Sequence, residues 1–508
     1  MGILLSLPRA IVVAIRLRLD ESESVQNMGV SCKNWVSGAT ETIMRWTVFL
    51  RREGDAVTDT EVPLLTLERD NLPDFAQLGL IHREGKRLLL TLQRALLAQQ
   101  TKQYFACRRQ RNQCGRPRTT KDYRSRTLQT VYGPVHLRLP RFNRCRCEPD
   151  SSPYVWLGSD YLPNRSTPEW SAMQAALGAR MPYREAAFIL DGFVPGVGPH
   201  NHGTIRNETI RVGSRIALEE TVSASSQHPD PMESGTVASD GTYVRGHRRE
   251  GLSRLHVVVG SVGPRESRRA AFAFIQQHKP HRRMLRSMWQ RLGCDDSRSL
   301  HVVTDGDTGL HNLVKKSFPG STRHTLDWFH IAMRLNAIER SIGYGLMRAQ
   351  QRDRVIRGVE RELESIHHHL WHGDHWLVCT WLGELVNRLE TSIVSAHLDR
   401  FSALRSTLDK VIDLRKYLMR FQEQVVPYSI AHADKQPVST APVESLINRL
   451  VNHRMNKRQQ MSWSINGAQS VLQIRVALVN RTLAQIFTRW YPGFSRARIV
   501  EAEHLLPA

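Results

Sequence analysis

Two aspartates, each followed by glycine, give the first chemical signal. Asp240 closes the run Thr236-Val-Ala-Ser-Asp, and Asp305 closes Leu300-His-Val-Val-Thr-Asp. Short β-branched runs of this kind read as strands, and the C-terminal ends of strands in an α/β sheet are where side chains converge on a ligand. One Asp-Gly alone reads more often as a turn; two on strands of one sheet would form a carboxylate pair. Such a pair repels itself unless a cation sits between the groups, and oxygen ligands suit Mg²⁺ or Mn²⁺. A third carboxylate would complete places for two ions roughly 3.5 to 4 Å apart, an arrangement suited to in-line displacement at a phosphodiester. Glu444 is the candidate, in Pro442-Val-Glu-Ser-Leu-Ile-Asn-Arg-Leu. Pro442 suits a helix start, and the first-turn carboxylate would face outward while Leu446, Ile447 and Leu450 are buried. A first-turn glutamate also favours the helix dipole with no further role.

The elements that must position these groups are legible as changes of texture. Ser223 to Ser234, polar and carrying Pro229 and Pro231, reads as a linker. Strand-like runs follow at Thr236–Asp240, Leu255–Val262 and Ala270–Ile275, then a helix over Met284–Leu292, the Leu300–Asp305 run, and a fifth strand at His324-Thr-Leu-Asp. That order describes a mixed α/β sheet. From Trp328 to about Arg420 the pattern is helical, too long for a loop, and implies an inserted helical subdomain. A polar break, His432 to Thr440, precedes a last helical region, Pro442 to Trp490. His367, His368, His369, His372 and His375 crowd the insertion, where an exposed polar surface is the simpler reading than a metal site. Trp371 and Trp376 read as a pair that packs the insertion, with stacking on DNA ends as the other reading.

The N-terminal half is read from charge and periodicity. The chain of 508 residues carries 71 Lys plus Arg against 48 Asp plus Glu, a formal charge of +23 that suits a polyanionic partner. Hydrophobic residues at 41% fit a folded protein of several domains. Seven cysteines, irregularly spaced, argue for a reducing compartment. The apolar Ala10–Ile15 is too short to span a bilayer and has the wrong charge order for a signal peptide, so a cytoplasmic protein with no membrane partner is expected. A strand is expected at Arg45–Leu50, and a helix over His82–Gln103, where leucines recur at helical spacing. Beyond the basic stretch Arg108–Arg126, Thr130–Leu139 alternates as a strand does. Tyr183–Leu190 and Thr204–Gly213 read as two helices around a Gly/Pro-rich turn. They fit either a helix-turn-helix DNA reader, with Arg184, Arg206, Asn207 and Arg211 as its donors, or a plain helical hairpin.

Several motifs together resemble the Kra family of bacterial insertion-sequence transposases, relatives of the Mutator-like group. They are Leu78 to Glu84 with Gly85-Lys86, Thr130-Val-Tyr-Gly-Pro-Val, Pro140-Arg-Phe, Leu177-Gly-Ala-Arg-Met-Pro-Tyr-Arg-Glu-Ala-Ala, Asp240-Gly-Thr-Tyr-Val-Arg, Arg323-His-Thr-Leu-Asp-Trp-Phe-His-Ile-Ala-Met-Arg and Trp463-Ser-Ile-Asn-Gly-Ala. The likeness runs from about Trp46 to the end. Asp327-Trp-Phe-His330 is its most specific element, since the wider group carries Asp or Cys, two residues, then His after its fifth strand.

The resemblance implies an α/β fold: an RNase H-like catalytic core with a large all-helical insertion, preceded by a mostly helical DNA-binding region. It assigns Asp240, Asp305 and Glu444 as the catalytic, metal-holding triad for two Mg²⁺ or Mn²⁺ ions. Asp327 and His330 would orient the metal shell or contact DNA; a capping Asp with a packed His is the plainer reading. Cys107, Cys114, Cys145 and Cys147 sit where the family carries cysteine pairs like a zinc ribbon, and four thiolates could hold Zn²⁺. Here the first pair is six residues apart with Arg111 where a close-spaced partner would stand, which counts against that site. The expected layout is a poorly patterned segment 1–45, a basic region 46–150, a helix-turn-helix-like region 151–222, a linker 223–235, and a core at 236–344 and 436–508 interrupted by a helical insertion at 345–435. The implied function is metal-dependent cleavage and strand transfer at terminal inverted repeats. Double-stranded DNA would be the partner, the chain a homo-oligomer on it, and the setting the bacterial nucleoid. Two rivals share these features: an inactive element-derived DNA-binding protein, and an RNase H-fold nuclease or resolvase.

Overall fold

The computed structural model describes residues 17–19, 44–50, 62–69, 75–111, 114–147, 152–194, 200–222, 235–248, 251–263, 269–278, 281–291, 299–318, 320–348, 354–395, 402–456 and 461–494. The expected linker at 223–234, the Gly/Pro-rich turn at 195–199 and nearly all of the segment 1–43 lie outside these residues. The chain divides into two compact units, residues 1–171 with 184–202, and residues 172–183 with 203–508.

In the first unit, β1 (Leu17–Leu19), β2 (Met44–Leu50) and β3 (Val62–Arg69) form an antiparallel sheet in that order. The periodic leucines form α1 (His82–Cys107). Its start is fixed by Glu84, whose carboxylate accepts from the Ile81 N–H at 3.2 Å and meets Arg69 Nη2, at the end of β3, at 2.6 Å. Phe105 of α1 joins Val135, Leu137, Leu139 and Phe142 in a small core. That core belongs to a hairpin of β4 (Thr120–Thr130) and β5 (Gly133–Asn143), extended by β6 (Tyr154–Val155). The alternating stretch from Thr130 is therefore the second arm of a hairpin whose first arm is basic. The cations of β4 are accommodated on aromatic faces, Lys121 over Tyr154 and Arg126 over Trp156. A short helix, α2 (Gly158–Tyr161), follows, and α3 (Pro168–Arg180) and α4 (Tyr183–Phe193) are divided between the two units.

The second unit is built on a five-stranded sheet of β7 (Gly235–Arg245), β8 (Arg254–Gly263), β9 (Ala270–Ile275), β10 (Ser299–Thr304) and β11 (Ser321–Leu326). Its order is β11-β10-β7-β8-β9; β7, β8 and β9 are antiparallel neighbours, whereas β10 and β11 run parallel to β7. Nearly continuous apolar strands are expected when both faces are covered, and alternate residues do go to different cores. Ala238, Val257, Val259, Ala271 and Ala273 meet α5 (His202–Val222), α13 (Ala441–Ile447), α15 (Ile465–Val479) and α16 (Leu483–Trp490) on one face. Val237, Val258, Phe272, Phe274 and Val302 meet α6 (His281–Arg291) and α7 (Thr308–Ser317) on the other. The free edge of β9 is closed by side-chain amides. Asn480 bonds both the N–H and the carbonyl of Ala271 at 2.8 Å, Gln473 donates to the Ala273 carbonyl at 2.9 Å, and Gln469 accepts from the Ile275 N–H at 2.8 Å.

The helical insertion has its own core. It comprises α8 (Trp328–Arg348), α9 (Arg354–His372), α10 (His375–Ser395), α11 (Ser402–Arg420) and α12 (Tyr428–Ala433), and its buried cluster runs from Leu326 through Leu363, Leu382 and Leu414 to Val438. Trp371 lies in that cluster beside Trp328 and Tyr428, whereas Trp376 is exposed, so the two tryptophans do not act as a packing pair. No helix of the described residues is long and apolar enough to cross a membrane.

Helix α5 approaches α15 so closely that a Cβ on Gly213 would lie 2.1 Å from the Ser470 carbonyl oxygen. Backbone cannot yield there as a flexible side chain would. Gly213→Ala is expected to lower stability by about 1–3 kcal/mol, the range for overpacked cores, read as a fall in the urea midpoint at unchanged slope. An unshifted midpoint would contradict this packing.

Candidate active site

The register of the sheet brings the two aspartates together. Val303 of β10 pairs with Ala238 of β7, the last parallel pair between these strands. Two residues further along each strand stand Asp305 and Asp240, and parallel strands in register carry such positions on one face. Strand β7 continues through Asp240-Gly to Arg245, paired only with β8. The first Asp-Gly is thus strand, not turn, and Asp240 is held on both sides of its position. Asp305 leaves β10 into a turn, its carboxylate accepting from the Asp307 N–H at 2.9 Å and its carbonyl from the Tyr417 hydroxyl at 2.8 Å. Asp307 caps α7, accepting from the Gly309 and Leu310 N–H groups.

Strand β11 ends one step further along the sheet, and α8 starts at once. Asp327 sits in that step, wholly buried. Its carboxylate accepts from the Phe329 N–H at 2.9 Å, from the Thr440 N–H at 3.0 Å and from the Thr440 hydroxyl, and it meets His330 Nδ1 at 2.7 Å. The ring of His330 is thereby turned toward the two aspartates: ligand atoms of Asp240, Asp305 and His330 all lie within 4.8 Å of one another. With Nδ1 engaged by Asp327, Nε2 is the nitrogen left for a ligand. Thr440 immediately precedes α13, and Glu444 occupies the first turn of that helix, half-buried.

The charges interact as their spacing requires. Burial pushes Asp240 up to about 6, against the lowering effects of the Gly241 N–H and His330, and the charges of Asp305 and Glu444 add to the rise. Glu444 therefore acts on Asp240, although it is not one of the three groups that share the 4.8 Å cluster. Burial opposes the charged form of His330, but the hydrogen bond to Asp327 and the charges of Asp327, Asp240 and Asp305 outweigh it and raise its pKa. Burial likewise opposes ionisation of Asp327, and the bonds from His330 and Thr440 overcome it and hold its pKa low. The arrangement gathers acidic oxygens and one imidazole at a strand end. Groups of these types at this spacing could hold a divalent cation.

The other residues singled out by sequence are dispersed. Arg184 is exposed on α4 in the first unit; Arg206 and Asn207 are exposed on α5 in the second. Arg211 is also on α5, where it makes a forked pair with Glu208 at 2.6 and 2.9 Å. Of the cysteines, Cys114, Cys145 and Cys147 come together in the first unit, while Cys107, exposed at the end of α1, is outside that group. The histidines at 367–375 form no metal-type cluster among the described residues.

No family model matches the chain, and no curated protein matches it. Among solved structures it is similar to the Drosophila P element transposase strand transfer complex, with a TM-score of 0.31 and 11% identity over 62% of this chain and 93% of the other.

Removing the Asp327 carboxylate would leave buried N–H and hydroxyl donors without an acceptor and His330 without its tether. Asp327→Ala should cost roughly 3–5 kcal/mol, the range for breaking a buried charged pair, measured by denaturant unfolding. A variant as stable as the parent would show that this carboxylate does not join the three segments.

Proposed function

We propose that this chain is a DNA transposase of the insertion-sequence type, cutting and joining DNA at a divalent-metal site formed by Asp240, Asp305 and Glu444 on an RNase H-like core. The observation that carries the reading is the in-register placement of Asp240 and Asp305 with the His330 ring beside them and the charge of Glu444 bearing on Asp240. The sheet order supports the core assignment: three antiparallel strands, then two parallel strands added beyond the first, with a helical insertion before the helix that carries Glu444. The sequence resemblance to Kra-type transposases supports the class.

The residues fit Mg²⁺ or Mn²⁺. Carboxylates crowded enough to raise Asp240 are relieved by a cation, and their oxygens suit a hard ion. Asp240, Asp305 and Glu444 would hold it, with His330 as an added donor from the side. When bound, such ions lower the pKa of an attacking oxygen and offset charge on the leaving oxygen of a phosphodiester. The protein's own contribution is placement. Strands β7 and β10 fix the two aspartates, and Asp327 sets both the ring of His330 and the start of the Glu444 helix. Water would displace the 3′ oxygen at an element end, and the freed 3′ hydroxyl would then displace an oxygen of target DNA. The +23 charge favours the phosphate backbone, with Arg184, Arg206 and Asn207 among the exposed donors, and pairing of two element ends calls for more than one copy of the chain.

The test is cleavage and joining of a labelled duplex bearing the inverted repeats that flank the gene, with Mg²⁺ and with Mn²⁺. Asp305→Asn should lower both rates by on the order of a thousandfold, about 4 kcal/mol of barrier, with folding and duplex binding retained. Asp307→Asn should stay within a few-fold of the parent, because an asparagine caps α7 as an aspartate does. Binding without cleavage by the parent protein would favour a DNA-binding protein that has lost catalysis. Cleavage without joining would favour a nuclease, and an active Asp305→Asn variant would remove Asp305 from the chemistry.

A further inference from the structure

The cysteine cluster of the first unit lies outside the phosphodiester chemistry and is independent of it. Three sulfurs, those of Cys114, Cys145 and Cys147, lie within 4.8 Å of one another, and the Cys147 thiol is 3.5 Å from Cys114 Sγ. They come from two segments, the tight turn after α1 and the loop after β5. The turn is closed by backbone bonds from the Arg111 N–H to the Arg116 carbonyl at 3.1 Å and from the Gly115 N–H to the Arg111 carbonyl at 3.0 Å. Gly115 makes it possible, with φ of +67° where a side chain would be strained.

Arg111 holds the two segments together. Its guanidinium is buried and donates to the Pro117 carbonyl at 2.7 Å in the turn and to the Asn143 carbonyl at 3.1 Å at the end of β5. Where a close-spaced partner of Cys114 would stand in the sequence, the chain has Arg111 instead, a cation that ties the two ligand-bearing segments to each other. No fourth His, Cys, Asp or Glu joins the three thiols among the described residues, which do not include Cys32 and Cys294. The sulfurs themselves are accessible, Cys114 exposed and Cys145 and Cys147 half-exposed.

We propose that Cys114, Cys145 and Cys147 form a three-thiolate site for one thiophilic d¹⁰ divalent ion, Zn²⁺ being the natural choice, with Arg111 as its positioning residue and the fourth position taken by an exchangeable ligand. Thiolates at this spacing suit a soft or borderline ion, and three protein ligands leave one position open. Binding displaces the thiol protons into solvent.

The probe is Cd²⁺, added to the reduced, metal-free full chain and followed by thiolate-to-metal charge-transfer absorption. Ions held by the carboxylates of the second unit give no such band. Saturation at one equivalent is expected, with the band lost in Cys114→Ser, Cys145→Ser and Cys147→Ser and unchanged in Cys107→Ser. Arg111→Ala should weaken the apparent affinity by about tenfold to a hundredfold. As a measurement that needs no variant, one equivalent of Zn²⁺ should protect Cys114, Cys145 and Cys147 of the native chain from alkylation, read residue by residue by mass spectrometry, while Cys107 continues to react. Absence of the charge-transfer band overturns the proposal. Loss of the band in Cys107→Ser, or Zn²⁺ protection of Cys107, overturns the three-ligand set in favour of a site with four.

Discussion

One buried carboxylate ties together the segments on which the candidate site depends. Asp327 has no exposed surface, yet it is charged because four protein groups meet it: the Phe329 N–H, His330, and the N–H and hydroxyl of Thr440. An ionised carboxylate is tolerated at such depth only when its oxygens are fully engaged. The donors come from the start of α8 and from the residue before α13, far apart in sequence. Satisfying the Asp327 charge therefore fixes, at once, where the imidazole of His330 stands and where the helix bearing Glu444 begins. The strand ends supply the other half of the constraint, since Asp240 and Asp305 are placed by β-register and need no side-chain support to face one another.

Much of this was legible in the sequence because it rests on local pattern. The apolar runs at 236–240, 255–262, 270–275 and 300–305 are strands because they are buried on both faces, and their spacing by one helix each after β9 is enough to order the sheet. The helical insertion announced itself by length and periodicity. The length of β7 was not legible: Asp-Gly is a common turn pair, and what keeps β7 extended past Asp240 is pairing with Val259, Val258 and Val257 on β8, a tertiary effect. The hairpin arm β4 was hidden for a related reason. Lys121, Arg124 and Arg126 give a charged stretch no strand signature of its own, and its stability comes from β5 and from rings of residues 154 and 156.

The site residues divide in the same way. Sequence could nominate Asp240, Asp305 and Glu444 by residue type and position, and the family resemblance paired Asp327 with His330. It could not show that the imidazole joins the cluster while Glu444 acts from outside it, because that depends on how far α13 stands from the strand ends once Thr440 is bound to Asp327. Arg211 has a local partner that residue type alone does not reveal: Glu208, one turn earlier on α5, forms a forked pair with it.

The insertion has more than a spacing role. The Tyr417 hydroxyl of α11 donates to the Asp305 carbonyl, and the Tyr428 hydroxyl of α12 donates to the Leu326 carbonyl at the end of β11. Both carbonyls end strands and so lack a sheet partner on that side. Phe421 presses on Gly306, whose φ of +89° and lack of a side chain let the ring come close to the turn just after Asp305. The helices thus grip the turn at Asp305 and the end of β11, just before α8 carries His330 away from the sheet. The apolar core of the insertion itself takes in Leu326 at the end of β11, so the same body that packs the helices also sets the position of each turn. Displacement of α11 or α12 would act on the backbone at Asp305 and Leu326, which couples the geometry of the acidic cluster to the packing of the insertion.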